Sequence, residues 1–219
     1  MQLDCGIRSP VPAMNFQLHW PLFKVILSVT FAYSTAVGIH LYRDGEISVS
    51  WISLLWLLAG GIYTHLFEYI YHSLGMHQSI RFRGRQYSDK RHLRHHRLFF
   101  GESFQTRQSD LLKEVATSWY TLPVLFFLHY FAFLALFPAR YALWFFLGVT
   151  VQSLAYEISH WFTHVEDNSF DRVLARVPVI SRLRAAQIRH HGRHHAVPTL
   201  NFNFTPPYLG DRLGRTHSK

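Results

Sequence analysis

Cysteine is almost missing from this chain: among 219 residues there is one, Cys5. A single thiol excludes an intrachain disulfide framework and any cysteine-based zinc site. Acidic residues are few, 13 against 22 lysines and arginines. That imbalance comes with no recognised nucleic-acid motif, so nucleic acid is not an expected partner. A secretory leader is not evident either. Residues 1–19 are mixed in character, carry Pro10 and Pro12, and lack an apolar centre. No repeat at solenoid spacing occurs.

Charge is also absent from four long stretches: Val25 to Tyr42, Ile47 to Phe67, Trp119 to Phe137, and Tyr141 to Tyr156. A helix that crosses a bilayer needs about 20 mainly apolar residues. The four stretches approach that length, the last only if its helix continues into Glu157 and His160. The basic residues then orient the chain. Nine lie between the second and third stretches, from Arg81 to Lys113, and nine more between Arg172 and Lys219, whereas the two short links hold only Arg43 and Arg140. Basic loops stay on the cytosolic side, and anionic headgroups there account for the high pI without nucleic acid. The expected architecture is an all-α integral membrane protein. About four transmembrane helices support a cytosolic, histidine-rich helical cap. Residues 1–24 form an N-terminal cytosolic or interfacial segment, and residues 25–219 form a single membrane-embedded domain.

What the chain has in abundance is histidine, 16 residues in all. Ten fall into four tight groups: His72 with His77; His92, His95 and His96; His160 with His164; His191, His194 and His195. Neutral imidazole is the commonest side-chain metal ligand. Ten are too many for one ion, which takes about four to six ligands, so they suit two ions close together. In a helix, positions i, i+3, i+4 and i+7 share a face. Glu157, His160 and His164 therefore line one stripe, as do Glu68 and His72. Gly75 lets the helix loosen between His72 and His77. Each HxxHH motif also presents its imidazoles on one side.

Glu68 and Glu157 sit one turn before ligand histidines, where a carboxylate can take the second N–H of a metal-bound imidazole and fix its tautomer. His65 shares a face with Glu68 and His72 and reads as packing or support. His190 points away, because His191 completes the HxxHH spacing. His19, His40, His129 and His217 are assigned nothing.

These motifs, in this order, resemble the fatty acid hydroxylase superfamily, also called the sterol desaturase family, over roughly Ile62 to Thr216. Glu68-Tyr69-Ile70-Tyr71-His72 with His77 is similar to that family's first histidine element. The two HxxHH groups and the Glu157–His164 helix resemble the next three. Asn201-Phe202-Asn203-Phe204-Thr205 with Asp211-Arg212-Leu213 resembles its tail segment. Three departures stand out. Ser73 replaces a common arginine, the stretch from His164 to His191 is long, and no haem-binding module precedes the first apolar stretch.

The resemblance implies an enzyme, a di-iron oxidoreductase that hydroxylates a fatty acyl or related lipid C–H bond with O2 as co-substrate. Zinc can occupy the same nitrogens in purified protein. A sterol or carotenoid hydroxylase or desaturase is the alternative within the superfamily. Electrons must come from an external donor, cytochrome b5-like, ferredoxin-like or rubredoxin-like, steered to the basic cytosolic face. The membrane is the plasma membrane in a bacterium or the endoplasmic reticulum in a eukaryote. A membrane metal-handling protein is the non-enzyme rival. Transport sites usually lie near the bilayer midplane, and these clusters lie beyond the apolar stretches. A bis-histidine haem protein and a metal-dependent lipid hydrolase are further rivals. Phe126, Phe127, Phe145 and Phe146 are candidates to line a lipid cleft.

Overall fold

The computed structural model describes residues 16–78, 80–82, 85–87 and 89–218; Cys5 and most of the N-terminal segment lie outside them. The architecture is helical, with one short hairpin. Helix α1 (Phe16–Asp44) is followed by α2 (Trp51–Ile70), which runs without a break into a π-helical turn at Tyr71–Met76. A two-stranded antiparallel hairpin, β1 (Ile80–Phe82) with β2 (Arg85–Tyr87), leads into α3 (Lys90–Leu98). A 3-10 turn (Gly101–Phe104) and α4 (Ser109–Leu112) precede the long helices α5 (Thr121–Leu136) and α6 (Ala139–His164). Then come α7 (Ser169–Leu174), α8 (Pro178–Ala196) and α9 (Leu209–Gly214).

The uncharged stretches of the sequence do become helices, with shifted ends. The first helix begins at Phe16 rather than Val25, so the end of the expected interfacial segment is continuous with α1. In the second stretch, residues 47–50 are non-helical, and Ser50 starts α2 through a capping box with Ser53, each side chain bonded to the other's backbone N–H. The fourth extends through Glu157 and His160 to His164. Two helices are long and apolar enough to cross a membrane, within His19–Asp44 and Ala139–His164. The third apolar helix, α5, has 16 residues, about 24 Å at 1.5 Å per residue. Helix α2 has 20 residues but carries His65 and Glu68 in its last two turns.

Helices α2 and α6 form the central pair. They approach at Gly60 and Gly148: a Cβ on Gly60 would lie 1.9 Å from the Phe145 carbonyl oxygen, and one on Gly148 2.1 Å from that of Leu57. Small residues at a crossing allow this backbone proximity. Helices α1 and α5 flank the pair. One core joins Ala32 and Ala36 of α1 to Phe126, Tyr130 and Phe133 of α5 and Phe146 of α6. A second, nearer the histidines, packs Val25 and Val29 on Phe99, Leu112 and Trp161. Outward, α1, α2 and α5 expose large apolar side chains, among them Phe31, Leu54, Leu58, Leu128 and Leu136. An apolar exterior of this extent marks contact with something other than water.

Candidate metal centre

The ten clustered histidines meet at one end of the α2–α6 pair. Four segments carry them: the π-helical turn, α3, the end of α6 and the end of α8. A π turn is wider than an α turn, and here its backbone bond runs from His77 N–H to the His72 carbonyl at 3.2 Å. That i, i+5 register puts both imidazoles on one side, which an α-helix would not do. Gly75 sits inside this turn, where a Cβ would press against the Tyr71 ring at 3.1 Å. Asp89 caps α3 by accepting from the backbone N–H of Arg91 and His92, which starts the short helix just ahead of His92.

The imidazoles divide into two sets. His72, His77, His92, His96 and His194 form the first, with ligand atoms all within 4.8 Å of one another; His95, His160, His164 and His191 form the second by the same measure. His195 joins the second, its Nε2 3.1 Å from His191 Nε2. The sets adjoin: the rings of His96 and His195 stack with centroids 4.3 Å apart. Each HxxHH motif is shared. In α3 His92 and His96 face the first set and His95 the second; in α8 His191 and His195 face the second and His194 the first.

The protonation of these rings follows from their outer contacts. His72 Nδ1 lies 2.6 Å from the Phe202 carbonyl and His194 Nδ1 2.6 Å from that of Leu200. His164 Nδ1 lies 2.9 Å from the Phe104 carbonyl and His195 Nδ1 2.6 Å from that of Phe99. A carbonyl only accepts, so these four rings carry their proton on Nδ1 and present a bare lone pair at Nε2. Yet Nε2 of His72 and Nε2 of His194 lie 3.1 Å apart. No proton is available to join two such nitrogens in neutral rings. A shared cation resolves the conflict. Adjacent ligands of a five- or six-coordinate ion with bonds of about 2.1 Å sit about 3.0 Å apart. Across the first set the Nε2 pairs His72–His92, His77–His92 and His92–His96 are at 3.0 Å. In the second, His164 and His191 are at 3.1 Å. His95 is buried with neither ring nitrogen hydrogen-bonded. The residues present therefore fit metal ions, and the histidine clusters can hold them.

Burial keeps the rings neutral. It lowers the pKa of His72 to about 3, of His77 to about 4 and of His96 to about 2, with neighbouring imidazoles adding to the effect at His72 and His96. His92, His95, His191 and His194 are held well below the ordinary value for the same two reasons, burial first. Neutral imidazole is the ligating form.

Neither acidic residue expected to brace an imidazole does so directly. Glu68 accepts from the Phe204 backbone N–H through Oε1, and its Oε2 lies 3.7 Å from His65 Nδ1. Glu157 accepts from the Thr117 backbone N–H at 3.3 Å through Oε2, and its Oε1 has no hydrogen-bond partner. Both side chains point off the imidazole stripe, and main-chain carbonyls take the ring N–H groups instead. His65 contacts Asn203 through Nδ1. His190 turns from the cluster to the Asn203 carbonyl, 3.0 Å from its Nε2.

The segment that supplies two of these carbonyls is organised by Asp211, which spacing alone did not single out. Its carboxylate, fully buried, accepts from the backbone N–H of Phe202 at 2.7 Å and Asn203 at 2.8 Å and from Thr216 Oγ1 at 2.7 Å. Burial pushes its pKa up, but these bonds and His190 outweigh it and hold the carboxyl below its usual range. Asn203 ties the same loop to α2 by donating to the His65 carbonyl.

A largely apolar cavity lies between α2, α5 and α6, and His72 of the imidazole cluster is part of its lining. Its volume is about 100 Å³. The lining runs from His72 and Glu157 to His129 and Phe146. Phe126 lines it too, whereas Phe127 and Phe145 pack into the neighbouring core. Comparison with protein-family models, curated proteins and solved structures found no match to the chain.

Proposed function

We propose that this chain is a membrane-embedded di-iron oxygenase of the fatty acid hydroxylase superfamily, which hydroxylates a lipid held in the apolar cavity. One observation carries the reading: two adjoining all-imidazole cages, with Nε2 lone pairs facing one another, adjoin through His72 a cavity lined mainly by apolar side chains. The helices within His19–Asp44 and Ala139–His164 anchor the protein in the bilayer. In this reading α2 and α5 complete a four-helix membrane body, favoured by their exposed apolar faces, with the histidine cap cytosolic because the basic segments flank it.

Bound iron would supply the oxidising power that no side chain has, using dioxygen and two electrons from an external donor. The residues of the chain do the rest. The first five imidazoles hold one ion and the second five the other. Carbonyls of Phe202, Leu200, Phe104 and Phe99 fix four of the rings. The cavity admits an apolar chain alongside His72 and keeps water from it. Arg91, Arg94 and Arg97 of α3 give the cap a basic surface suited to an acidic redox partner. A lipid hydrolase would need the same cages but would take its oxygen from water.

Lipids of cells that make the protein, grown under isotopically labelled dioxygen, test the reading. We expect a hydroxylated lipid carrying the label that disappears in a His191→Ala strain. An unlabelled product would favour hydrolysis, and no product in either strain would remove the oxygenase reading.

A further inference from the structure

The cavity is not uniformly apolar: unpartnered polar atoms line it at Glu68 and Glu157, beside the imidazole cluster, and farther along at Thr150. Glu157 is 1% exposed and lines the cavity one turn before His160. Its Oε2 is used by Thr117 N–H, while Oε1 has no hydrogen-bond partner. Across the cavity, on α2, Glu68 Oε2 also lacks a hydrogen bond, and Glu68 lines the same space. Buried polar atoms are nearly always partnered, because an unpaired one keeps its desolvation penalty in full. Two such oxygens, on facing helices and in one cavity, are what a site for a hydrogen-bond donor looks like. Farther along, Leu122, Leu125, Phe126 and Phe146 make the wall mainly apolar, with Thr150 and His129 as its polar members.

We infer that the lipid accepted here carries a hydroxyl group at the end that lies beside the metals, and that Glu157 Oε1 accepts its hydrogen bond. Glu157 is then a substrate-positioning residue rather than a brace for an imidazole. The inference rests on the reading of the cavity as the lipid site. A neutral donor fits better than an ammonium group, because two divalent ions nearby repel a cation. A hydroxyl also suits either protonation state of the carboxyl, since it can both donate and accept. The apolar tail points away from the cages, toward Phe146. The carbon oxidised is accordingly one close to the hydroxyl-bearing end and not the far terminus of the chain.

The test is a matched pair of probes on zinc-loaded protein in detergent. Hexadecan-1-ol and 1-methoxyhexadecane have similar length and hydrophobicity, but only the alcohol donates. Binding is read from the rise in melting temperature with probe concentration. We expect the alcohol to bind about tenfold more tightly than the ether, the size of one hydrogen bond. In Glu157→Leu the two should become equal. Equal binding by wild type overturns the inference, whatever the variant does, and so does tighter binding of hexadecylamine than of the alcohol. Zinc content is measured on the same samples. Loss of zinc with the alcohol preference intact would count against the metal assignment and leave the hydroxyl site standing.

Discussion

The two imidazole sets look alike in composition and differ in how they are built. The second rests on α-helix: His160 and His164 of α6 and His191 and His195 of α8 are i, i+4 pairs, and its members are fully buried. The first depends on an irregular turn. His72 and His77 are brought together by π-helical geometry, and His77 and His92 are only partly buried. Its rings are also steered by a loop, since the carbonyls of Leu200 and Phe202 belong to the segment that Asp211 ties down. The second set is steered by carbonyls of Phe99 and Phe104, at the two ends of the short turn after α3. Regular structure thus holds one cage, and a bent helix with a pinned loop holds the other. The first cage should exchange its ion more readily.

Removing ligands gives the largest separation. His191 lies at 3.1 Å from both His164 and His195 through Nε2, so it is central to the second cage. His191→Ala should leave about one ion per chain and, under the proposed function, no activity, because the second cage loses its central imidazole ligand. His77→Ala removes the most exposed first-cage ligand and should leave the second ion in place. Metal analysis after dialysis against a chelator reads both. Equal loss of both ions in the two variants would mean that the cages act as one cluster.

Asp211 comes next in size. Asp211→Asn weakens the bonds to Phe202 and Asn203 N–H that place the Phe202 carbonyl on His72. Partners that orient a ligand contribute about 10–100-fold to metal affinity. That loss should fall on the first cage only, seen as a biphasic metal titration in which one phase moves. A uniform shift of both phases would make Asp211 a general support of the fold.

Acid should produce a more graded effect, spread over several pH units. In the metal-free folded chain the cluster histidines stay neutral far below the ordinary imidazole range, His77 down to about 4 and His72 down to about 3. Unfolded histidines protonate near pH 6.5. Below that value the unfolded chain binds protons that the folded chain refuses, so stability falls as pH falls, through roughly pH 6.5 to 3. Above pH 6.5 both states are neutral and the dependence vanishes. Melting temperatures of the metal-free protein between pH 8 and pH 5 measure this. A flat profile would show that the cage opens without metal.

Much of this was readable from the residue pattern. The meeting of the ten clustered histidines, the extension of α6 into Glu157 and His160, and the loosening at Gly75 all follow from spacing and from helix geometry. The partition into five and five does not follow until helix positions are known, although its cause is simple. At about 100° per residue, the fourth and fifth residues of HxxHH diverge to opposite sides of the first. His92 and His96 stay within about 40° of each other while His95 swings about 60° the other way, which is how one motif serves two cages. The tail was visible as Asn201–Thr205 and Asp211 through resemblance, but its role was not. A carbonyl as hydrogen-bond acceptor is identical in every residue, so no side-chain pattern could mark Leu200, Phe99 or Phe104. The shared helical face also misled: Glu68 and Glu157 lie one turn from ligands along the axis, yet their carboxylates reach backbone N–H groups of neighbouring segments.

That last difference yields the finest test. If Glu157 braced an imidazole, Glu157→Gln would lower metal affinity by about 10–100-fold. In the structure its Oε2 accepts from Thr117 N–H and its Oε1 meets no partner. A glutamine side chain keeps an oxygen able to accept from Thr117 N–H and puts an NH2 donor in the place of Oε1. The metal content of Glu157→Gln should therefore equal that of wild type, in both cages, after the same chelator challenge that separates His77→Ala from His191→Ala. Under the proposed function, lipid binding should in contrast weaken, because an N–H donor then replaces the acceptor oxygen that faced the cavity. A fall in zinc or iron content, most of all at the second cage one turn away, would return Glu157 to the role of ligand support. Unchanged metal with weakened lipid binding separates the cage from the cavity, and assigns this carboxylate to the cavity.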